Sequence, residues 1–152
     1  MKIAVILCGG RGLRLRPITN KIPKPMVLIK YNKPFIFFLI KQLHKAKFNK
    51  IYLLTGYKSK KIEHYIKKEE EFKKINIIIK KTPVNFDTVK RIRSILKFIN
   101  SPFLLCYSDN LVNFNIRKYY KKFHNRNYVV IKESISSLEL GNVNIKKQKI
   151  YD

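Results

Sequence analysis

At 152 residues the chain has the length of one domain, and its 45% hydrophobic content excludes a purely polar, disordered chain. No apolar run reaches membrane-spanning length, and two cysteines, Cys8 and Cys106, give neither a disulfide framework nor a metal-type spacing. The formal charge of +25, from 34 Lys+Arg against 9 Asp+Glu, attracts polyanions, yet the lysines are scattered over every predicted helix. They accompany an abundance of Ile, Asn, Tyr and Phe, so compositional drift explains them better than a dedicated nucleic-acid surface.

The first element is the apolar run Ile3–Leu7, which ends in Cys8. With Lys2 in front it imitates a short lipoprotein signal. The stretch is too short for that, and bulky Leu7 precedes the cysteine, so it reads as a buried strand of a cytoplasmic protein. Further buried strands are expected at Ile51–Thr55, Ile75–Ile79, Phe103–Tyr107 and Tyr128–Ile131. Helical spacing fills the gaps. Phe35, Ile36, Leu39, Ile40, Leu43 and Lys47 form one face behind Pro34, and Ile62, Tyr65, Ile66 and Glu69 a second, with Ser59 as expected N-cap. Ile92, Ile95, Leu96 and Ile99 form a third, and Ile116, Tyr119, Tyr120 and Phe123 a fourth.

This alternation predicts one α/β domain over residues 1–152 with a mainly parallel sheet. Ligands of such sheets bind beyond the carboxyl ends of the strands. Four loops are expected on that edge: Gly9–Arg16, Gly56-Tyr57-Lys58, Lys81–Thr88 and Ser108-Asp109-Asn110.

The first of these carries the strongest chemistry. Gly9, Gly10 and Gly12 allow close backbone approach, and successive N–H groups can form a nest for an anion. Arg11, Arg14 and Arg16 can add bidentate bonds to phosphate oxygens. Lys24 stands between Pro23 and Pro25, on a stiff extended segment. The loop is no dinucleotide fingerprint, because Leu15 stands where the third glycine is required. Nor is it a P-loop, because no G-K-[ST] closes it.

The run G-G-R-G-L-R-L-R-P-I-T at 9–19, followed by P-K-P-M at 23–26, resembles the signature of the sugar-phosphate nucleotidyltransferases. The resemblance continues through Asn32-Lys33-Pro34-Phe35, Leu54–Lys58 and Leu105–Asn110. It implies a Rossmann-like three-layer α/β/α sandwich and transfer of a nucleotide monophosphate from an NTP to a sugar 1-phosphate, with release of pyrophosphate. By that match the backbone of Gly9, Gly10, Arg11, Gly12 and Leu13 cradles the NTP phosphates. Arg14 matches the arginine that holds the departing pyrophosphate, and Lys24 the lysine at the α-phosphate and incoming sugar phosphate. Asp109 matches the carboxylate that binds Mg²⁺. Tyr57 and Gly141 are sugar-contact candidates on the same basis. Surface-polysaccharide precursor synthesis is the pathway expected by resemblance.

The chain also departs from that pattern. Leu13 replaces a threonine and Ser108 a glycine. The third loop, Pro83–Arg91, lacks the usual glycines, so Asn85 and Thr88 are base-contact candidates that read equally well as turn and N-cap residues. Family members continue through an E-K-P motif, further strands and a second metal-binding aspartate, which this sequence does not contain. The expectation is a shortened domain with a sheet edge that a second copy or a partner would cover. A non-catalytic nucleotide-binding protein or inactive remnant is the alternative reading, and a basic nucleic-acid-binding protein the third.

Overall fold

The computed structural model describes residues 2–111 and 115, together with the backbone of 144–146 and 149–151. Strand β1, Ile3–Cys8, is buried along its whole length. After the glycine loop come a short helix α1, Ile18–Lys21, and a small antiparallel ribbon of β2, Leu28–Lys30, and β3, Lys33–Pro34. Then follow α2 (Phe35–Lys45), β4 (Lys50–Thr55), α3 (Ser59–Lys68), β5 (Ile77–Lys81), α4 (Thr88–Leu96) and β6 (Phe103–Tyr107). A last antiparallel pair joins β7, Asn144–Lys146, to β8, Lys149–Tyr151. The expected strand at Tyr128–Ile131 and the helix face at 116–123 lie outside the described residues.

The main sheet has the order β5-β4-β1-β6, and every neighbouring pair is parallel. Period-two alternation sends β1 side chains to two separate cores. Ala4, Ile6 and Cys8 join Ile51, Leu53, Ile36, Ile40, Leu43 and Ile62, under α2 and α3. Ile3, Val5 and Leu7 join Tyr52, Leu54, Ile95 and Ile99, under α4. Helices therefore cover both faces, and the three-layer arrangement expected from the alternation is present.

Several local expectations shift. β5 begins two residues later than the apolar run, because Ile75 is used in a turn: its N–H donates to the Phe72 carbonyl at 2.9 Å and its side chain fills the first core. Ser59 is the first residue of α3 and not its N-cap, a position taken by Lys58 in a left-handed conformation. Helix α2 stops at Lys45, short of Lys47. Its end is closed by bonds from Lys47 N–H to His44 O (2.9 Å) and Phe48 N–H to Leu43 O (3.1 Å), the Schellman pattern. Lys47 adopts the left-handed conformation that glycine usually supplies there, as do Tyr31, Asn32 and Lys58 in their own turns. Both cysteines are free, and burial pushes the Cys106 thiol up to about 12 and Cys8 higher still.

One polar cluster ties β3 to the end of α3. The Glu69 carboxylate accepts from Lys33 Nζ and from the Tyr65 hydroxyl, each at 2.7 Å. Burial alone would raise the Glu69 pKa, but the two donors outweigh it and hold the carboxyl below its ordinary value. A depressed folded pKa stabilises the fold above the unfolded value, and the contribution is lost as pH falls through the folded value. Glu69→Gln should therefore cost about 1–2 kcal/mol at neutral pH, in the range of a charge-assisted hydrogen bond, and flatten the acid limb of the stability–pH curve. Urea unfolding at a series of pH values checks both.

Candidate functional site

The chain leaves β1 sideways to β4 and β5, then returns past β1 to β6. Strand order thus reverses between β1 and β6, and a crevice opens there beyond the carboxyl ends of the strands. Leu7 is in register with Tyr107, so the loops that begin at Gly9 and Ser108 leave the sheet side by side.

In the first loop Gly9 is buried and Gly10 exposed. Gly12 is left-handed, with φ 63° and ψ 41°. A Cβ on Gly12 would stand 3.0 Å from Thr19 Cγ2 and 3.3 Å from Lys24 Cβ, so glycine is required by conformation and by space. Leu13, Arg14 and Leu15 form a single 3₁₀ turn, closed by Leu15 N–H to Gly12 O at 3.0 Å. Arg11, Leu13, Arg14 and Arg16 are all exposed. The turn is held from below. The hydroxyl of Thr19, buried at 1% exposure, donates to Gly12 O at 2.8 Å, and the Tyr57 hydroxyl donates to Thr19 O at 2.9 Å. Tyr57, a sugar-contact candidate by sequence, thus uses its hydroxyl to brace the glycine loop.

Lys24 lies on the first residue of a 3₁₀ turn, Lys24–Met26, between the buried rings of Pro23 and Pro25. Its Nζ forms an ion pair with Asp109 Oδ2, both side chains remaining about a third exposed. Lys24, one of the two residues singled out for catalysis, and Asp109, singled out for metal binding, are therefore in direct contact across the crevice. Asn85 and Thr88 are exposed on the loop after β5. Thr88 is the first residue of α4, whose N-cap is Asp87, accepting from Lys90 N–H at 2.7 Å. Gly141 lies outside the described residues. A separate open groove of about 430 Å³, lined by Lys80, Phe86, Lys90, Arg93, Ser94 and Lys97, shares none of the candidate residues.

Sequence reasoning reached Arg91 only as the end of the third loop and gave it no role. It is buried at 4% exposure, and its guanidinium lies beneath three of the four loops. Nη2 donates to Gly9 O at 3.2 Å and Val84 O at 3.1 Å, while Nη1 donates to Thr55 O at 3.4 Å and to Thr82 Oγ1. Burial lowers its pKa, offset in part by Asp87. The pattern held a signal: Arg91 precedes Ile95 by four residues on a face that should be apolar throughout.

The sequence model of the family described as nucleotidyl transferase matches residues 3–149. D-glycero-alpha-D-manno-heptose 1-phosphate guanylyltransferase from Campylobacter jejuni is 32% identical over 147 residues, covering 97% of this chain and 65% of that protein. The Bacillus subtilis protein named "Probable glucose-1-phosphate cytidylyltransferase" is 34% identical over 135 residues, covering 74% of this chain and 52% of its own length. Among solved structures, HddC from Yersinia pseudotuberculosis complexed with GMP-PN superposes with a TM-score of 0.65 at 31% identity, over 80% of this chain and 54% of that one. A UDP-glucose pyrophosphorylase shares the fold at a TM-score of 0.65 and 22% identity. The sheet is thus that of the Rossmann-like nucleotide-diphospho-sugar transferase fold. The chain spans about half to two thirds of the length of these proteins.

Tyr57→Phe tests the brace under the loop. It should lower stability by about 1 kcal/mol, the net worth of one buried hydrogen bond, and speed amide exchange at Leu13–Leu15. Exchange rates unchanged from those of the parent chain would show that the loop does not depend on Tyr57.

Proposed function

Because this chain belongs to the nucleotidyl transferase family, we propose that it transfers a nucleotide monophosphate from an NTP to a sugar 1-phosphate. The observation that carries the reading is the Lys24–Asp109 contact, set at the strand-order switch beside a braced glycine loop. A phosphate oxygen of the sugar 1-phosphate attacks the α-phosphorus. A new P–O bond forms there, the bond to the β-phosphate oxygen breaks, and pyrophosphate leaves. The attacking oxygen is already anionic, so the protein needs no general base. Its task is to position the reactants and neutralise charge.

In this reading the N–H groups of the Gly9–Leu13 loop hold the triphosphate. Exposed Arg14 follows the β- and γ-phosphates and keeps hold of the leaving pyrophosphate. Lys24, seated between two buried prolines, lies between the α-phosphate and the incoming sugar phosphate. To do so it exchanges the Asp109 carboxylate for phosphate oxygen, which leaves Asp109 to a cation. A strand-end carboxylate is a hard oxygen donor, and Mg²⁺ keeps several of its waters, so Asp109 with phosphate oxygens is a workable donor set. Bound there, Mg²⁺ would supply charge neutralisation on the triphosphate. On the same reading, the exposed Asn85 of the loop after β5 and the exposed Thr88 at the start of α4 would meet the base. The named activities of the relatives put GTP and CTP first among candidate donors, and heptose and hexose 1-phosphates first among acceptors. An enzyme of this kind would supply sugar nucleotides for polysaccharide assembly from the cytoplasm.

Pyrophosphate release is the decisive assay, with ATP, CTP, GTP and UTP against a panel of sugar 1-phosphates, in Mg²⁺ and in EDTA. The expected result is turnover with one NTP in Mg²⁺ and none in EDTA. Binding of an NTP without turnover across the panel would overturn the transferase reading and leave a nucleotide-binding protein. Arg14→Ala and Lys24→Ala should each weaken NTP binding by roughly 10- to 100-fold, the equivalent of one charge-assisted hydrogen bond. Isothermal titration calorimetry reads that loss.

A further inference from the structure

Arg91 is a buried cation whose fork is bonded to neutral groups, the carbonyls of Gly9, Thr55 and Val84 and the hydroxyl of Thr82. These acceptors sit at the end of β4 and on the loops that follow β1 and β5. The surrounding backbone is shaped around the fork. A Cβ on Gly9 would overlap the guanidinium, standing 2.8 Å from Nε. One on Gly56 would stand 2.6 Å from Nη1 and 2.9 Å from Gly9 O. Both glycines are therefore the space into which the arginine fits, which explains two glycines at strand ends without a positive φ.

The orientation of two peptide planes follows. In a trans peptide the C=O and the next residue's N–H point in opposite directions. Arg91 pulls the carbonyls of Gly9 and Val84 inward, so the N–H groups of Gly10 and Asn85 are turned outward, away from the core. Gly10 lies in the phosphate loop, and Asn85 in the loop proposed to meet the base. One planar side chain thus fixes two donors that belong to opposite ends of a nucleotide. It also leaves a fixed positive charge beneath the loop that holds the triphosphate, where little water screens it.

We infer that Arg91 is a positioning residue for nucleotide binding: it locks the phosphate loop to the base loop and supplies a buried positive charge behind the phosphates. The inference rests on the nucleotide site proposed above. A lysine would keep the charge but present it as a point, without the fork that spans several acceptors. Arg91→Lys should therefore weaken NTP binding by about tenfold or more, and Arg91→Met by more than Arg91→Lys. Selectivity among ATP, CTP, GTP and UTP should also narrow.

The test is calorimetric titration of those four NTPs and of inorganic tripolyphosphate, which has no base, well below each variant's melting temperature. A residue that only supports the fold would lower Tm and the bound stoichiometry but leave the Kd of the folded fraction at the parent value. A positioning residue raises Kd at full stoichiometry for NTP and tripolyphosphate alike. Parent-like Kd values in folded Arg91→Lys would overturn the inference and leave the nucleotide site standing. Failure of the unmodified chain to bind any of the NTPs would overturn both. Should neither Arg91 variant fold, Thr82→Val decides, because it removes one acceptor of the fork, together with the hydroxyl's bond to Thr55 O, and leaves the backbone intact. Weakening of at least threefold upholds the inference, and an unchanged Kd overturns it.

Discussion

Strand β1 is paired on both sides, to β4 and to β6, and buried on both faces. Each pairing alone would give an ordinary parallel sheet. Together they require the chain to run outward to β5 and then return across the sheet, and that return creates the crevice between the ends of β1 and β6. The residues at the crevice owe their places to this arrangement. The glycine loop can leave the sheet only where β1 ends, and Asp109 only where β6 ends. Lys24 reaches Asp109 because the proline-flanked turn folds back over that edge. Weakening the two cores that hold β1 would thus disperse the site without touching any residue in it.

A second layer of order is polar. The glycine loop is supported from one side by Thr19 and Tyr57, through hydroxyls that hold carbonyls. It is supported from α4 by Arg91, through a guanidinium that does the same. The shared logic is that inward-facing carbonyls are occupied by buried donors, which leaves outward-facing N–H groups to the solvent side. Such a frame is preorganised for an anion, and little reorganisation is needed when charge arrives.

Much of this frame was legible in the sequence because the signals were local or periodic. Four parallel strands, three helices and the common edge follow from alternating runs, and Phe103–Tyr107 matches to the residue. That Gly9, Gly12, Lys24 and Asp109 gather at one sheet edge was legible because glycine, proline and strand-end aspartate restrict the backbone in recognisable ways. The misses share a different cause. Ile75 looked like strand because it is buried, but a turn buries it equally well. Tyr57 was a sugar-contact candidate by resemblance alone, which carries no sign that its hydroxyl donates to Thr19 O. Arg91 was marked only by an interrupted apolar face, because its partners are the Thr82 hydroxyl and the backbone carbonyls of Gly9, Thr55 and Val84, and carbonyls carry no sequence signal. A buried charge matched to backbone dipoles leaves no complementary carboxylate to search for.

The left-handed residues at Tyr31, Asn32 and Lys47, away from the crevice loops, have a consequence beyond the turns they make. The chain holds five glycines, and four of them, Gly9, Gly10, Gly12 and Gly56, stand at the sheet edge beside the crevice. Turns elsewhere carry side chains in a conformation that disfavours them by roughly 1–2 kcal/mol each. Steric freedom is concentrated where an anion would approach, and backbone strain is exported to remote turns. Thermal tolerance and ligand chemistry are therefore separable in this fold, since the first can be improved at distant turns without altering the second.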